Sequence, residues 1–272
     1  MIKDELRQLA TDFIAGSPGN VISAPCAISA EMVGLRLFAE PILAIAAADD
    51  PLFTRMQHSD IVGPHFPSPD YWVREAKSVV SFFLPFCEPV RSGNAAVPTW
   101  PSPEWLHARY EGQMLVSALS AHIRDHLSAM GYASVAPSLD ARFFSRGKEG
   151  SGDIPAFTSN WSERHVAYVC GLGTFGLSKG LITAKGVAGR FGSIVTAMDI
   201  APDTRPYTDP YEYCSFCGDC IARCPVGAIS LETGKDHLLC SDFIDLAREK
   251  FAPRYGCGKC QVSVSCENRV PG

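Results

Sequence analysis

Cys214-Ser-Phe-Cys217-Gly-Asp-Cys220-Ile-Ala-Arg-Cys224-Pro225 is a C-x2-C-x2-C-x3-C-P run, and the chain is read outward from it. At this spacing three thiolates curl around one face of an iron–sulfur cubane while the fourth points to a second cluster. A second set of thiolates must therefore follow, and Cys240, Cys257, Cys260 and Cys266 supply it. Two-cluster logic pairs Cys214, Cys217 and Cys220 with Cys266, and Cys224 with Cys240, Cys257 and Cys260, so that every one of these residues is used once.

The second set is less regular than the first. Ser241 to Phe251 predicts a helix after Cys240, the final gap is Cys260-x5-Cys266, and Glu267 stands where a repeat would place proline. Zinc is the alternative occupant of clustered cysteines, but so many thiolates with a Cys-Pro after the fourth fit it poorly. Paired clusters carry electrons one at a time. The N-terminal part is far more protein than an electron carrier needs, so it is expected to house a site that the clusters serve.

Composition narrows the classes. The 272 residues suit two domains, and 46% hydrophobic with 19% charged is globular rather than disordered. A formal net charge of −5, with no block of Lys or Arg, argues against general nucleic-acid binding or an anionic membrane surface. The longest apolar run, Pro41 to Ala48, is far short of a membrane span. The first residues lack a secretory h-region, which gives the expectation of a cytoplasmic protein. In a reducing compartment, eight of the eleven cysteines gathered between Cys214 and Cys266 mean metal rather than disulfides. Cys26, Cys87 and Cys170 are left as small hydrophobes.

Helical spacing of Ile2, Leu6, Leu9 and Phe13 predicts an opening helix, and Ile28 to Leu37 a further short one. Ala76 to Pro85 is the best strand of the N-terminal part, and Pro89 to Pro103 reads as loop. Ser102-Pro103 starts a long helix stopped by Gly131, with Leu115, Leu119, Ile123 and Leu127 on one face beside His122 and His126. Asp140 to Ile154, with Arg142, Arg146, Lys148 and three glycines, is either a solvated loop or a cation-lined lid. Asn160 to Glu163 forms a capping-box-like start for the helix ending at Cys170. Arg190 to Ile200 is a strand, and Ala201 to Pro206 is the linker dividing an N-terminal domain (1–205) from a ferredoxin-like one (206–272).

Gly171-Leu-Gly173-Thr-Phe-Gly176 matches G-x-G-x-x-G in letters only. The dinucleotide fingerprint needs a strand before and a helix after, and the order here is helix then strand. The glycines still allow close backbone approach to a ligand.

Taken together, Glu163-Arg164, Gly171-Leu-Gly173-x-x-Gly176, Phe191-Gly192-Ser193, the first cysteine run, Cys240 and Gly256-Cys257-x-x-Cys260-Gln261 resemble the epoxyqueuosine reductase family, iron–sulfur and cobalamin-dependent enzymes related to reductive dehalogenases. The resemblance implies an α+β fold: a nitroreductase-like, cobalamin-binding-type domain followed by a ferredoxin-like domain with two [4Fe-4S] clusters. It implies a reductase supplied by a low-potential electron donor protein, acting on a corrinoid or a small-molecule substrate. A flavin in the same pocket is the second cofactor expectation, from fold analogy. Gly171, Gly173, Gly176, Gly192 and Ser193 are the candidate cofactor-binding residues. The sequence departs from the family where the catalytic Asp-Ser would precede Glu-Arg, since Phe157 to Ser162 contains no acid, and where Gly-Lys-Asn becomes Gly176-Leu177-Ser178. Proton-transfer candidates are then Glu163, His165, Tyr168 and Asp140. The absences also raise the alternative of an electron-transfer or reductive-activation protein that serves a partner enzyme.

Overall fold

The computed structural model describes residues 2–272. In chain order, helix α1 (Ile2–Gly16) precedes strand β1 (Ile42–Ala47), helices α2 (Pro51–Arg55) and α3 (Pro69–Trp72), strand β2 (Ser78–Pro85), helices α4 (Glu88–Ala96) and α5 (Pro103–Ala129) and strand β3 (Ser134–Val135). Helix α6 (Glu163–Cys170) and strands β4 (Gly173–Phe175), β5 (Leu181–Thr183) and β6 (Gly189–Thr196) follow. The C-terminal part holds α7 (Asp219–Arg223), β7 (Ile229–Ser230), β8 (Gly234–Lys235) and α8 (His237–Phe251).

The main sheet has the order β1-β2-β6-β3 with every pairing antiparallel. Ile45 lies opposite Val80, and Phe82 opposite Gly192. Every residue of β2 is buried, so this central strand reads as a continuous run instead of an alternation. Ile45, Val80, Phe82 and Ile194 pack one face against Leu6 of α1 and Leu119 and Ile123 of α5. Ala44, Val79, Phe83 and Val195 pack the other against Phe53, Trp161 and Val166. Two separate hairpins, β4-β5 and β7-β8, complete a mixed α/β architecture of small sheets.

Helix α5 starts as the sequence predicts. Ser102 Oγ accepts from Trp105 N at 3.3 Å, and Pro103 occupies the first turn. His122 stacks on Phe13 at 4.7 Å and His126 Nε2 lies 2.9 Å from Glu5 Oε1, so both histidines seam α5 to α1.

Four local expectations are corrected. Residues 28–37 form no α-helix; a 3-10 turn at Ala30–Met32 and a bridge from Val21 to Arg36 replace it. Glu88–Ala96 is a helix instead of loop, with Pro89 in its first turn, and a Cβ on Gly93 would come within 2.6 Å of the Glu104 carboxyl group. There is no capping box before α6: Asn160 bonds Phe144 N and Arg142 O, and Ser162 is the N-cap residue. Helix α8 begins at His237, which puts Cys240 in its first turn.

Residues 201–205 have no regular structure but are held in place, since the Asp203 carboxylate accepts from Lys3 Nζ (3.0 Å), Arg7 Nη2 (3.1 Å) and Ile45 N (3.0 Å). Among the described residues no helix is long and apolar enough to cross a membrane.

Candidate metal centre

Gly218, in the left-handed region at φ +85°, turns the chain into α7 so that Cys217 precedes the helix, Cys220 sits in it and Cys224 follows. Asp219 Oδ2 accepts from Ser265 N (2.8 Å) and Ser265 Oγ (2.5 Å), drawing the Cys266 segment over the first cysteine loop. Cys214, Cys217, Cys220 and Cys266 line a shallow cavity of about 20 Å³ together with Gly176 and Ile182.

Cys224, Cys240, Cys257 and Cys260 line a larger cavity of about 270 Å³. Two devices seat the Cys257–Cys260 loop. Gly258, at φ +68°, lies against Trp105 of α5 so closely that an added Cβ would fall 1.9 Å from the ring. Lys259 is fully buried, and its Nζ donates to Asn94 O (2.6 Å), Asn94 Oδ1 (3.0 Å) and Val97 O (2.6 Å) at the end of α4. Asn94 Nδ2 returns a bond to Cys257 O at 3.0 Å. Burial pushes the Lys259 ammonium down to about 8. Helix α4 also receives Arg223 Nη2 on Ala95 O (3.1 Å), and its Arg91 pairs with Glu267 at 2.5 Å. The residue standing where a regular repeat has proline is thus a docking contact.

The donor chemistry suits a cluster. Thiolates select iron–sulfur or zinc, yet among the described residues no three Cys, His, Asp or Glu side chains converge to hold one ion. Each set of four sulfurs instead rings a cavity. Burial pushes Cys257 and Cys266 up to about 12 and Cys220 to about 11, and a bound metal would hold them as thiolates.

The proton-transfer candidates scatter. Both Glu163 carboxyl oxygens are buried, and burial, partly opposed by the Ser193 hydroxyl, raises the acid to about 7. His165 Nδ1 lies 2.7 Å from Ser162 Oγ, and burial, helped by Arg164 and Lys179, lowers it to about 4, leaving it neutral near pH 7. Tyr168 stacks on Tyr207 at 5.3 Å in the second core, where burial raises its phenol. Asp140 is forked by Arg142 at 2.8 Å, which holds it at about 2 and makes it a poor donor.

The candidate cofactor-binding residues are engaged in packing. A Cβ on Gly173 would lie 1.9 Å from Ile182 O across the β4-β5 hairpin, and one on Gly192 would meet the Phe82 ring at 2.4 Å. Gly171 ends α6 at φ +96°. Ser193 Oγ accepts from Trp161 Nε1 at 2.8 Å. Gly176 lies beside the first cysteine set. These glycines are filled around by the chain's own atoms and form no open cradle for a flat cofactor.

Sequence reasoning missed Arg109 and Arg190, which reach the larger cavity from α5 and β6, and the buried Lys259. A charged residue inside an otherwise standard C-x-x-C is the only signal that flags Lys259. The 140–159 loop crosses to α8, with Lys148 Nζ 2.5 Å from both Asp242 and Asp245 and Phe157 stacked on His237 at 5.6 Å.

Residues 208–230 match the 4Fe-4S binding domain family, which marks an iron–sulfur protein. The whole chain has the fold of epoxyqueuosine reductases and reductive dehalogenases. A solved epoxyqueuosine reductase superposes with a TM-score of 0.54 at 17% identity, covering 98% of this chain and 65% of that one. An epoxyqueuosine reductase with a modified tRNA stem loop gives 0.51 at 17%, with 98% and 65% covered. A catabolic reductive dehalogenase gives 0.52 at 16%, with 85% and 30% covered. The chain thus spans less than two thirds of these relatives. No curated protein matches the sequence.

Proposed function

We propose that the chain is an iron–sulfur oxidoreductase that passes low-potential electrons through two [4Fe-4S] clusters to an acceptor held by residues 1–205. Residues 206–272 form the ferredoxin-like carrier, with Cys214, Cys217, Cys220 and Cys266 holding one cluster and Cys224, Cys240, Cys257 and Cys260 the other. The observation that carries this reading is the sorting of the cysteines into two rings of four around separate cavities. Such clusters supply one-electron transfer when bound. Exposed Cys217 puts the first set at the surface, where a donor protein can approach. The second set faces the N-terminal domain through Trp105 and Arg164. Glu163, held near neutrality, is the best-placed group to keep and release a proton.

The nitroreductase-like reading of the N-terminal domain makes the acceptor a corrinoid or a small substrate, and the glycines expected to cradle a corrinoid are occupied by internal packing. The absence of an acid between Phe157 and Ser162 favours a small molecule over the modified tRNA bound by one of the solved relatives. Anaerobically reconstituted protein is expected to hold about eight iron per chain, and Cys217→Ser to lose one cluster's signal; zinc, or a single cluster in the unaltered chain, overturns the reading.

The same missing acid, with Leu177 in place of the family's lysine, supports a second reading: an electron-transfer or reductive-activation protein without catalysis of its own. Titration with cob(II)alamin separates them. A changed corrinoid spectrum supports an acceptor site in this chain, and no binding supports the partner-serving role.

A further inference from the structure

The larger cavity carries charge that electron transfer does not use. Arg109, Arg164, Arg190, Lys235 and Lys259 lie on its lining with no aspartate or glutamate. Lys259 is committed to the α4 carbonyls. The arginines arrive from α5, α6 and β6, and none has a carboxylate partner. The Arg109 guanidinium lies over the Tyr255 ring at 4.6 Å. Arg164 is exposed to solvent on the cavity lining, and its Nη1 donates to Lys179 O at 2.8 Å. Arg190 donates to Gln113 Oε1, and its buried Nε has no partner.

Arginines that converge on one cavity without a carboxylate partner, one of them with a buried and unpartnered Nε, are poised to take an anion. A [4Fe-4S] cluster with its four thiolates carries about two negative charges when oxidised. That is fewer than the four cations that remain when Lys259 is set aside.

We propose that Arg109, Arg164 and Arg190 form a binding site for a small organic oxyanion, a carboxylate or a phosphate ester, beside the Cys224–Cys240–Cys257–Cys260 set. Guanidinium forks pair with both groups in bidentate fashion. Phe86, Trp105 and Tyr255 give the organic part flat apolar walls. The site rests on the two-cluster reading, since the cluster neutralises only part of the charge.

The test is calorimetric titration of anaerobically reconstituted protein with inorganic phosphate and with benzoate, followed in parallel by the EPR spectrum of the reduced clusters. The expected result is saturable binding of one probe with a changed spectrum, weakened at least about tenfold by Arg190→Gln or Arg164→Gln and less by Arg190→Lys, while Arg7→Gln leaves it unaltered. Tighter phosphate assigns a phosphoryl ligand, and tighter benzoate a carboxylate. Absence of binding by both probes overturns the site, as does binding that neither glutamine variant weakens. A shifted cluster potential in those variants without anion binding shows arginines that only counter the cluster, and overturns it too. Iron is measured on the same samples, so failure of the two-cluster reading is seen separately.

Discussion

Glu163 occupies the first position of α6 with both carboxyl oxygens shielded from water, and the sequence reading made it a cap. An acid raised from 4.5 to about 7 binds its proton more tightly folded than unfolded. The sign follows: stability is full below pH 4.5 and falls as pH rises towards 7, where the unfolded chain has already ionised. The shift corresponds to about 3 kcal/mol. Glu163→Gln is therefore expected to melt at the same temperature as the parent protein near pH 4.5 and at a higher one at pH 8. Melting curves of anaerobic protein check this, and equal differences at both pH values contradict it. If the same variant also slows acceptor reduction, the group that costs stability is the one that supplies the proton.

At the scale of elements, the Cys257–Cys260 loop and α4 act as plug and socket. Gly258→Ala places a methyl group into the Trp105 ring at a residue with φ +68°, so the loop cannot seat. Iron content is expected to fall by about half, to about four per chain, with the signal of the first set retained; full iron content would show that Trp105 yields. The plug was legible in the sequence as a Cys257-x-x-Cys260 loop, because that spacing is local. The socket was not. Pro89, Gly93 and Asn94 weaken the local signal for α4, and its helicity is secured by burial of Val90 and Asn94 and by contacts from Lys259 and Arg223, residues more than a hundred positions away. Strand β2 and helix α5 were read correctly for the opposite reason, since an unbroken apolar run and a Ser-Pro start are local. Ile28 to Leu37 misled because its apolar residues serve bridges and a 3-10 turn.

For the whole molecule, the 140–159 loop is tied to the C-terminal part by Lys148 with Asp242 and Asp245, side chains open to solvent. Exposed pairs contribute little to stability and are screened by salt. Lys148→Ala is expected to leave the melting temperature unchanged while speeding trypsin cleavage after Arg146, and high salt to do the same to the parent protein; unchanged cleavage would mean that Arg142, bonded to the Tyr71 and Trp72 carbonyls, holds the loop alone. The docking of Lys259, Arg91 and Trp105 sets an order of assembly as well. The Cys257–Cys260 loop seats only on a surface built by α4 and α5, so it reaches its place only once those N-terminal helices have folded. On the two-cluster proposal, iron occupancy is expected to record folding history, a half-loaded molecule being one whose earlier residues never reached their places.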